Sequence, residues 1–280
     1  MVFDFVTWNI RTLYKVGAQL SVISEIEKYK MSVTAIQETR VLGREINEVK
    51  KFMVLNSGKT EGKHEYGVAF IVHPSFKGNI IDFKPINERI CVLRVRMKFF
   101  NVAMINVYAT TEDKGPQEKD EFYYQLERVL DTLHANDVKI VLGDLNAKIG
   151  GEEEFRNTIG RNSLHEISND NGRRLIDFAE SKNLIISSTQ FAHKDIHKQT
   201  WRSPDVITTN QIDHVLIDKR RASGIQDVRS YRGADTDHYL VKARYLCKIN
   251  RKSKSKYQPP RRINVNALKE QEIRNNKERI

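Results

Sequence analysis

Apolar residues along the first 246 positions fall into short runs. They are Val2 to Val6, Val33 to Ile36, Phe52 to Leu55, Val68 to Val72, Ile80 to Phe83, Ile90 to Val95, Val102 to Val107, Val138 to Leu142, Leu184 to Ile186, Val215 to Ile217 and Leu240 to Ala243. Each has the length of a strand and is rich in Val, Ile and Phe, side chains that suit a pleated, half-buried surface. A helical period replaces this pattern in three places. Leu20, Ile23 and Ile26 recur every third residue, Phe122, Leu126, Val129, Leu130 and Leu133 fall on one face, and Asn171 to Lys182 opens on Asn-Gly before Leu175, Ile176 and Phe178. The pattern predicts at least three amphipathic helices. Strands outnumber helices too heavily for strict alternation, and neighbouring strands without a helix between them imply antiparallel pairing. The expected class is therefore α/β, a mixed-strand sandwich with its helices outside.

Composition narrows the setting. At 39% hydrophobic and 30% charged residues, the 280-residue chain has a globular balance. The longest clean apolar stretch, Val68 to Val72, is far short of the roughly 18 residues a membrane-spanning helix needs, so no membrane association is expected. Two cysteines, Cys91 and Cys247, make no disulfide framework, and the N-terminus lacks a basic segment followed by a long apolar one. An intracellular, reducing compartment is the expectation. Of the net charge of +11, the segment Cys247 to Ile280 carries +8, from eleven Lys or Arg and three Glu. That break divides the chain into an expected catalytic domain, residues 1–246, and a basic tail, residues 247–280. Lys248 to Lys256 and Arg261-Arg262 suit phosphate contact, nuclear import or a solvated linker.

Polar residues follow several of the apolar runs. Trp8-Asn9 ends the first, Gln37-Glu38 follows the second, Asn106-Val-Tyr108 closes the Val102 run, and Gly143-Asp-Leu-Asn146 follows Val138 to Leu142. Gln211-Ile-Asp213 opens a late strand, and Thr236-Asp-His238 precedes the last. Rigid scaffolds present chemistry at such strand ends. Asp144 and Asn146, two apart in an expected extended segment, would project the same way. A carboxylate beside an imidazole at Asp237-His238, with Asp213 available to orient the ring, adds a proton-handling pair. His193 and His197 have helical spacing but no third ligand nearby, which points to a surface pair and not to zinc.

The ordered series Trp-Asn, Gln-Glu, Asn-Val-Tyr, Gly-Asp-Leu-Asn, Gln-Ile-Asp and Thr-Asp-His resembles the endonuclease/exonuclease/phosphatase superfamily over Met1 to Leu246. Thr200-Trp-Arg-Ser-Pro-Asp205 and Asp170-Asn-Gly-Arg-Arg-Leu-Ile-Asp-Phe178 resemble the abasic-endonuclease-like nuclease of RTE/BovB-type non-LTR retrotransposons. The tail from Arg261 resembles the linker that precedes reverse transcriptase there. The resemblance implies a four-layer α/β/β/α sandwich of two packed mixed sheets flanked by helices, with the site at one edge. It also implies a Mg²⁺-dependent DNA endonuclease, with Mn²⁺ as a substitute and no organic cofactor, working in the nucleus and leaving a 3′-hydroxyl and a 5′-phosphate. Glu38, with support from Asp237, would hold the metal, as Mg²⁺ favours one or two carboxylates and its own waters. Asp144 would orient or deprotonate the water, Asn146 and Asn9 would hold phosphate and that aspartate, and Tyr108 would bond a phosphate oxygen. His238 would contact the scissile phosphate, supported by Asp213; the formal base is Asp144 or His238. Substrate contacts would come from Arg11, Thr200, Trp201, Arg202 and Thr236, and residues 202–212 would form a hairpin that probes a groove. Arg11 stands where abasic-repair members often carry an acidic residue, and His214 where a Tyr often follows.

Two alternatives share these residues. One is a domesticated nucleic-acid-binding module without turnover; the other is an abasic-site endonuclease or another phosphoesterase of the superfamily.

Overall fold

The structure, a computed structural model, describes residues 2–233 and 236–248. The basic tail expected from sequence lies outside the described residues beyond Lys248. In chain order, β1 (Val2–Asn9) leads through α1 (Ala18–Lys28) to β2 (Val33–Gln37), followed by β3 (Ile46–Val49), β4 (Phe52–Ser57) and β5 (Val68–Val72). Then come β6 (Ile80–Pro85), β7 (Ile90–Arg96) and β8 (Asn101–Tyr108), which leads through α2 (Pro116–Asp131) to β9 (Val138–Asp144). After α3 (Asp170–Ser181) follow β10 (Leu184–Ile186), β11 (Trp201–Arg202), β12 (Thr209–Asn210), β13 (Asp213–Asp218), β14 (Ile225–Tyr231) and β15 (Leu240–Leu246).

These strands build two mixed sheets, ordered β14-β15-β1-β2-β5-β4-β3 and β10-β13-β9-β8-β7-β6, with β11 and β12 forming a separate ribbon. Each large sheet has one parallel pair, β1 with β2 and β8 with β9. Each of these pairs is joined by a helix, as a parallel connection requires. Between the sheets lies a core of Phe3, Phe5, Val33, Phe70, Leu93, Met104, Ile140, Leu142, Val215 and Val241. Helix α1 covers the far face of the first sheet through Ile23 and Ile26, packed with Val6, Trp8 and Ile36. Helices α2 and α3 cover the far face of the second, through Leu126, Leu130, Leu175 and Ile176. The four-layer α/β/β/α arrangement expected from sequence is thus present. All eleven apolar runs are strands and all three helical patterns are helices.

The strands without a clear apolar run are β3, β14 and the β11–β12 ribbon. β3 and β14 are the two edges of the first sheet. An edge strand buries less of its length, and β3, Ile-Asn-Glu-Val, is mostly exposed. Among the described residues no helix is long and apolar enough to cross a membrane.

The alternation of side chains across the sheets positions the chemistry. In β1 the row Phe3, Phe5 faces the inter-sheet core, and two residues on each time it continues as Thr7 and Asn9. The same parity takes Val33 and Ala35 to Gln37, Val102 and Met104 to Asn106 and Tyr108, and Val138, Ile140 and Leu142 to Asp144. On antiparallel β13 the row Ile217, Val215 reaches Asp213 at the strand start. These five inward rows therefore turn from apolar to polar at the same end of the sandwich. The register aligns these ends: Asn9 opposite Gln37, Tyr108 opposite Asp144, and Asp144 opposite Asp213.

Candidate active site

An open cleft of about 630 Å³ sits over this polar end. Its lining includes Arg11, Glu38, Tyr108, Asp144, Asn146, Trp201, Asp237 and His238, all singled out from sequence. Asn9 and Asp213 lie directly beneath, both fully buried.

Asn9 is the hub. Its amide nitrogen donates to Glu38 Oε1 at 3.0 Å and to Asp144 Oδ2 at 2.9 Å, so one side chain spaces two carboxylates. Its carbonyl oxygen accepts from the Arg11 backbone, and its backbone oxygen from the Thr236 hydroxyl. The Glu38 carboxylate also accepts from the Tyr108 hydroxyl at 3.0 Å and from Arg40 at 2.9 Å. Tyr108, expected to reach for phosphate, is thus held on Glu38 in this structure. Glu38 leaves β2 in the left-handed region, at φ 53°. Beneath it, Gln37 donates to Asn106 and Thr7, and Asn106 donates to the backbone oxygens of Ile36 and Ala69. All three polar side chains are fully buried and mutually satisfied, a network that ties the two sheets together under the site.

Asp144 accepts from the Asn146 backbone through its other oxygen. Burial, and then the Asp213 charge, push its carboxyl up to about 7 against the pull of His238 and the bonds from Asn9 and Asn146. Asp213 bonds His238 Nδ1 at 3.1 Å, leaving Nε2 on the side of Asp144, 3.9 Å from Oδ2. Burial opposes the charged imidazole, but Asp213 and Asp144 outweigh it and raise His238 to about 9. The His238 backbone is pinned by a bond from the Trp8 indole to its oxygen and by a bridge to Trp201. Asp237 accepts from the Trp201 indole and lies 3.9 Å from Arg11.

Four expected site residues have particular placements. Asn146 is not extended; it takes φ 48°, which turns its amide onto Ala109 O while its own N–H caps Asp144. Thr200 is buried and its hydroxyl accepts from the Ile212 and Asp213 backbones, so it shapes the site and does not line it. Arg202 bonds Val206 O within the β11–β12 hairpin, and Thr236 lines neighbouring grooves. His214 is buried between Ser188 and Ala147 O, and burial lowers its basicity, so it is a neutral packing residue where a Tyr is usual. His193 is half-buried on Asp227 at 2.7 Å; His197 lies in a separate short 3₁₀ turn.

Cleft residues not singled out from sequence are Arg40, Thr111, Glu112, Lys148 and Asn169, while Asn210 and Ile212 belong to the segment expected as a hairpin. Arg40 and Lys148 each stand two residues past a site residue, a usable signal. Asn169 caps α3 by accepting from Gly172 N and also accepts from Lys148 N, a tie visible only in the fold.

Asp144, Asp213 and His238 each offer a ligand atom within 4.8 Å of the others. Asp213 Oδ1 is buried without a hydrogen-bond partner among the described residues. The two carboxylates of this group, with Glu38 and Asp237 on the cleft lining, are hard-oxygen donors whose crowding a divalent cation would relieve.

Two packed sheets carrying Asn, Glu, Tyr, Asp and an Asp-supported His at one edge define a phosphoester-hydrolase class of nuclease fold. The chain belongs to the endonuclease/exonuclease/phosphatase family, whose profile matches residues 6–238. Craniofacial development protein 2 of Bos taurus is 32% identical over 247 residues, 87% of this chain and 41% of that protein. The chain thus spans about two fifths of the length of the curated relatives it matches. The endonuclease domain of TRAS1, a telomere-specific non-LTR retrotransposon, superimposes with a TM-score of 0.63 at 17% identity, over 88% of this chain and 99% of that one. A 3′ phosphatase from Neisseria, NExo, bound to product DNA hairpin, gives 0.63 at 18% identity over 87% and 99%. At these identities the two structures share the fold.

Proposed function

We propose that this protein is a Mg²⁺-dependent DNA endonuclease that nicks one strand to leave a 3′-hydroxyl and a 5′-phosphate, as in target-site nicking by non-LTR retrotransposons. The observation that carries this is the pairing of Asp144 with His238–Asp213 on one side and, through Asn9, with Glu38 on the other. DNA as substrate is supported by the TRAS1 and DNA-bound NExo likenesses, by the basic segment beyond Leu246, and by Arg11, Arg40 and Lys148 around the cleft. That segment also favours a nuclear location.

Glu38, with Asp144 and Asp237 near, would hold the metal, which when bound neutralises phosphate oxygens and the leaving oxygen. The chain's own residues account for the rest. Asn9 keeps Asp144 ionisable and aimed, so that it can accept the proton of the attacking water. His238, charged at neutral pH through Asp213, donates from Nε2 to a phosphate oxygen as negative charge develops there. Asp144 is then the base and His238 the electrophilic donor. Tyr108 holds Glu38 in place. The hairpin between β11 and β12 presents an exposed apolar tip, Val206 and Ile207, suited to probing a DNA groove.

The test is conversion of supercoiled plasmid to nicked circle in Mg²⁺ or EDTA, with polymerase extension reading the 3′-hydroxyl. Wild type should nick only with Mg²⁺, and Asp144→Ala should lose at least about 10²-fold. Well-folded wild type that never nicks would turn the reading toward binding without turnover or a non-DNA phosphoester.

A further inference from the structure

An aromatic pair is tied to the cleft residue Arg40. Tyr14 is 62% exposed, yet its ring stacks on the imidazole of His64 with centroids 4.0 Å apart and planes at 34°. The pair is built in on both sides. Tyr14 N–H donates to the Thr12 hydroxyl, and His64 Nδ1 lies 3.0 Å from the backbone oxygen of Arg40. The Arg40 guanidinium is in turn on Glu38, so one residue joins the stacked rings to the site. Lined by Thr12 and Lys15, which flank Tyr14 in the chain, a groove of about 420 Å³ shares Arg11 and Arg40 with the cleft and, among the described residues, has no carboxylate in its lining. Glu65, next to His64, is neutralised by Lys59 at 2.8 Å.

Cations that track phosphates, interleaved with an exposed ring, are what single strands need, because every base has a face to stack. A fully paired helix keeps its base faces stacked on one another and offers none to an exposed ring. We propose that Tyr14, braced by His64, is a stacking platform for an unpaired nucleobase beside the cleaved phosphate, so that the enzyme prefers DNA with a single-stranded stretch there. This rests on the DNA-nuclease reading and specifies its substrate.

The test compares binding, in EDTA, to a fully paired duplex and to the same duplex with a short unpaired stretch carrying 2-aminopurine. Wild type should bind the second about 10-fold more tightly, with quenched fluorescence. Tyr14→Ala should bring the affinity ratio to about one and abolish the quenching, while Tyr14→Phe, which keeps the ring, should retain both. A wild-type ratio near one, or a Tyr14→Ala ratio equal to wild type, overturns the platform and leaves the nuclease reading standing. Wild type that binds neither DNA sinks both.

Discussion

His165 is the residue at which acid should be felt first. Its Nε2 accepts from Gln211 N at 3.1 Å, and Gln211 lies two residues before Asp213. Burial, then Lys148 and His214, hold its imidazole down to about 4. An unfolded histidine titrates near 6.5, so between about pH 6.5 and 4 the unfolded chain binds a proton that the folded one refuses. Stability from this group is complete above that window and is lost as pH falls through it. His214, also held neutral by burial, acts in the same direction. From pH 6.5 to 4 these two histidines should therefore lower the thermal unfolding midpoint, against Asp144, whose raised carboxyl takes up a proton on folding and acts in the opposite direction. His165→Gln keeps an acceptor but cannot titrate, and should show a shallower drop; identical slopes would clear His165 of the role.

At the scale of elements, the close approach of β8 and β9 decides where Asp144 can sit. Gly143 is paired with Val107, and a Cβ there would lie 1.9 Å from Val107 O. The glycine lets the strands close at the point where the inward row becomes catalytic. Gly143→Ala should destabilise by about 2 kcal/mol or more in urea denaturation, since the obstacle is backbone and not a movable side chain. Wild-type stability in that variant would mean that the β8–β9 spacing is adjustable. Helix α3 acts on the same region from outside: Asn171 bonds both Thr110 O and Asn146 O, and Glu112 accepts from the first backbone N–H groups of the helix. Asn171 was legible as part of a motif, but its role as a clamp between two site loops was not, because its partners lie 25 and 61 residues away.

For the whole molecule, the basic excess is concentrated in one stretch of the sequence. Most of the +11 lies beyond Leu246, whereas the cleft floor is crowded with carboxylates. On the proposed function the basic segment would supply sequence-independent attraction to DNA and the cleft would supply hydrolysis. Deleting residues 249–280 should weaken DNA affinity and flatten its dependence on salt, each lost phosphate contact removing about 0.9 from the log–log slope. An unchanged slope would assign that segment to linkage alone.

Eleven of the fifteen strands, the three helices, the sandwich class and the six polar strand ends are legible in the amino-acid order, because alternation and strand-end chemistry are local properties of the chain. Glu38, Asp144 and His238 could be named from it without knowing what they touch. That Asn9 spaces two carboxylates, that Asn146 turns back to brace its neighbour and that Thr200 is buried scaffold became visible with the folded chain. Those roles depend on strand register and on loop conformations set by partners far away in the chain. Parity along one strand says which face a side chain takes; the packing of two sheets says what waits for it there.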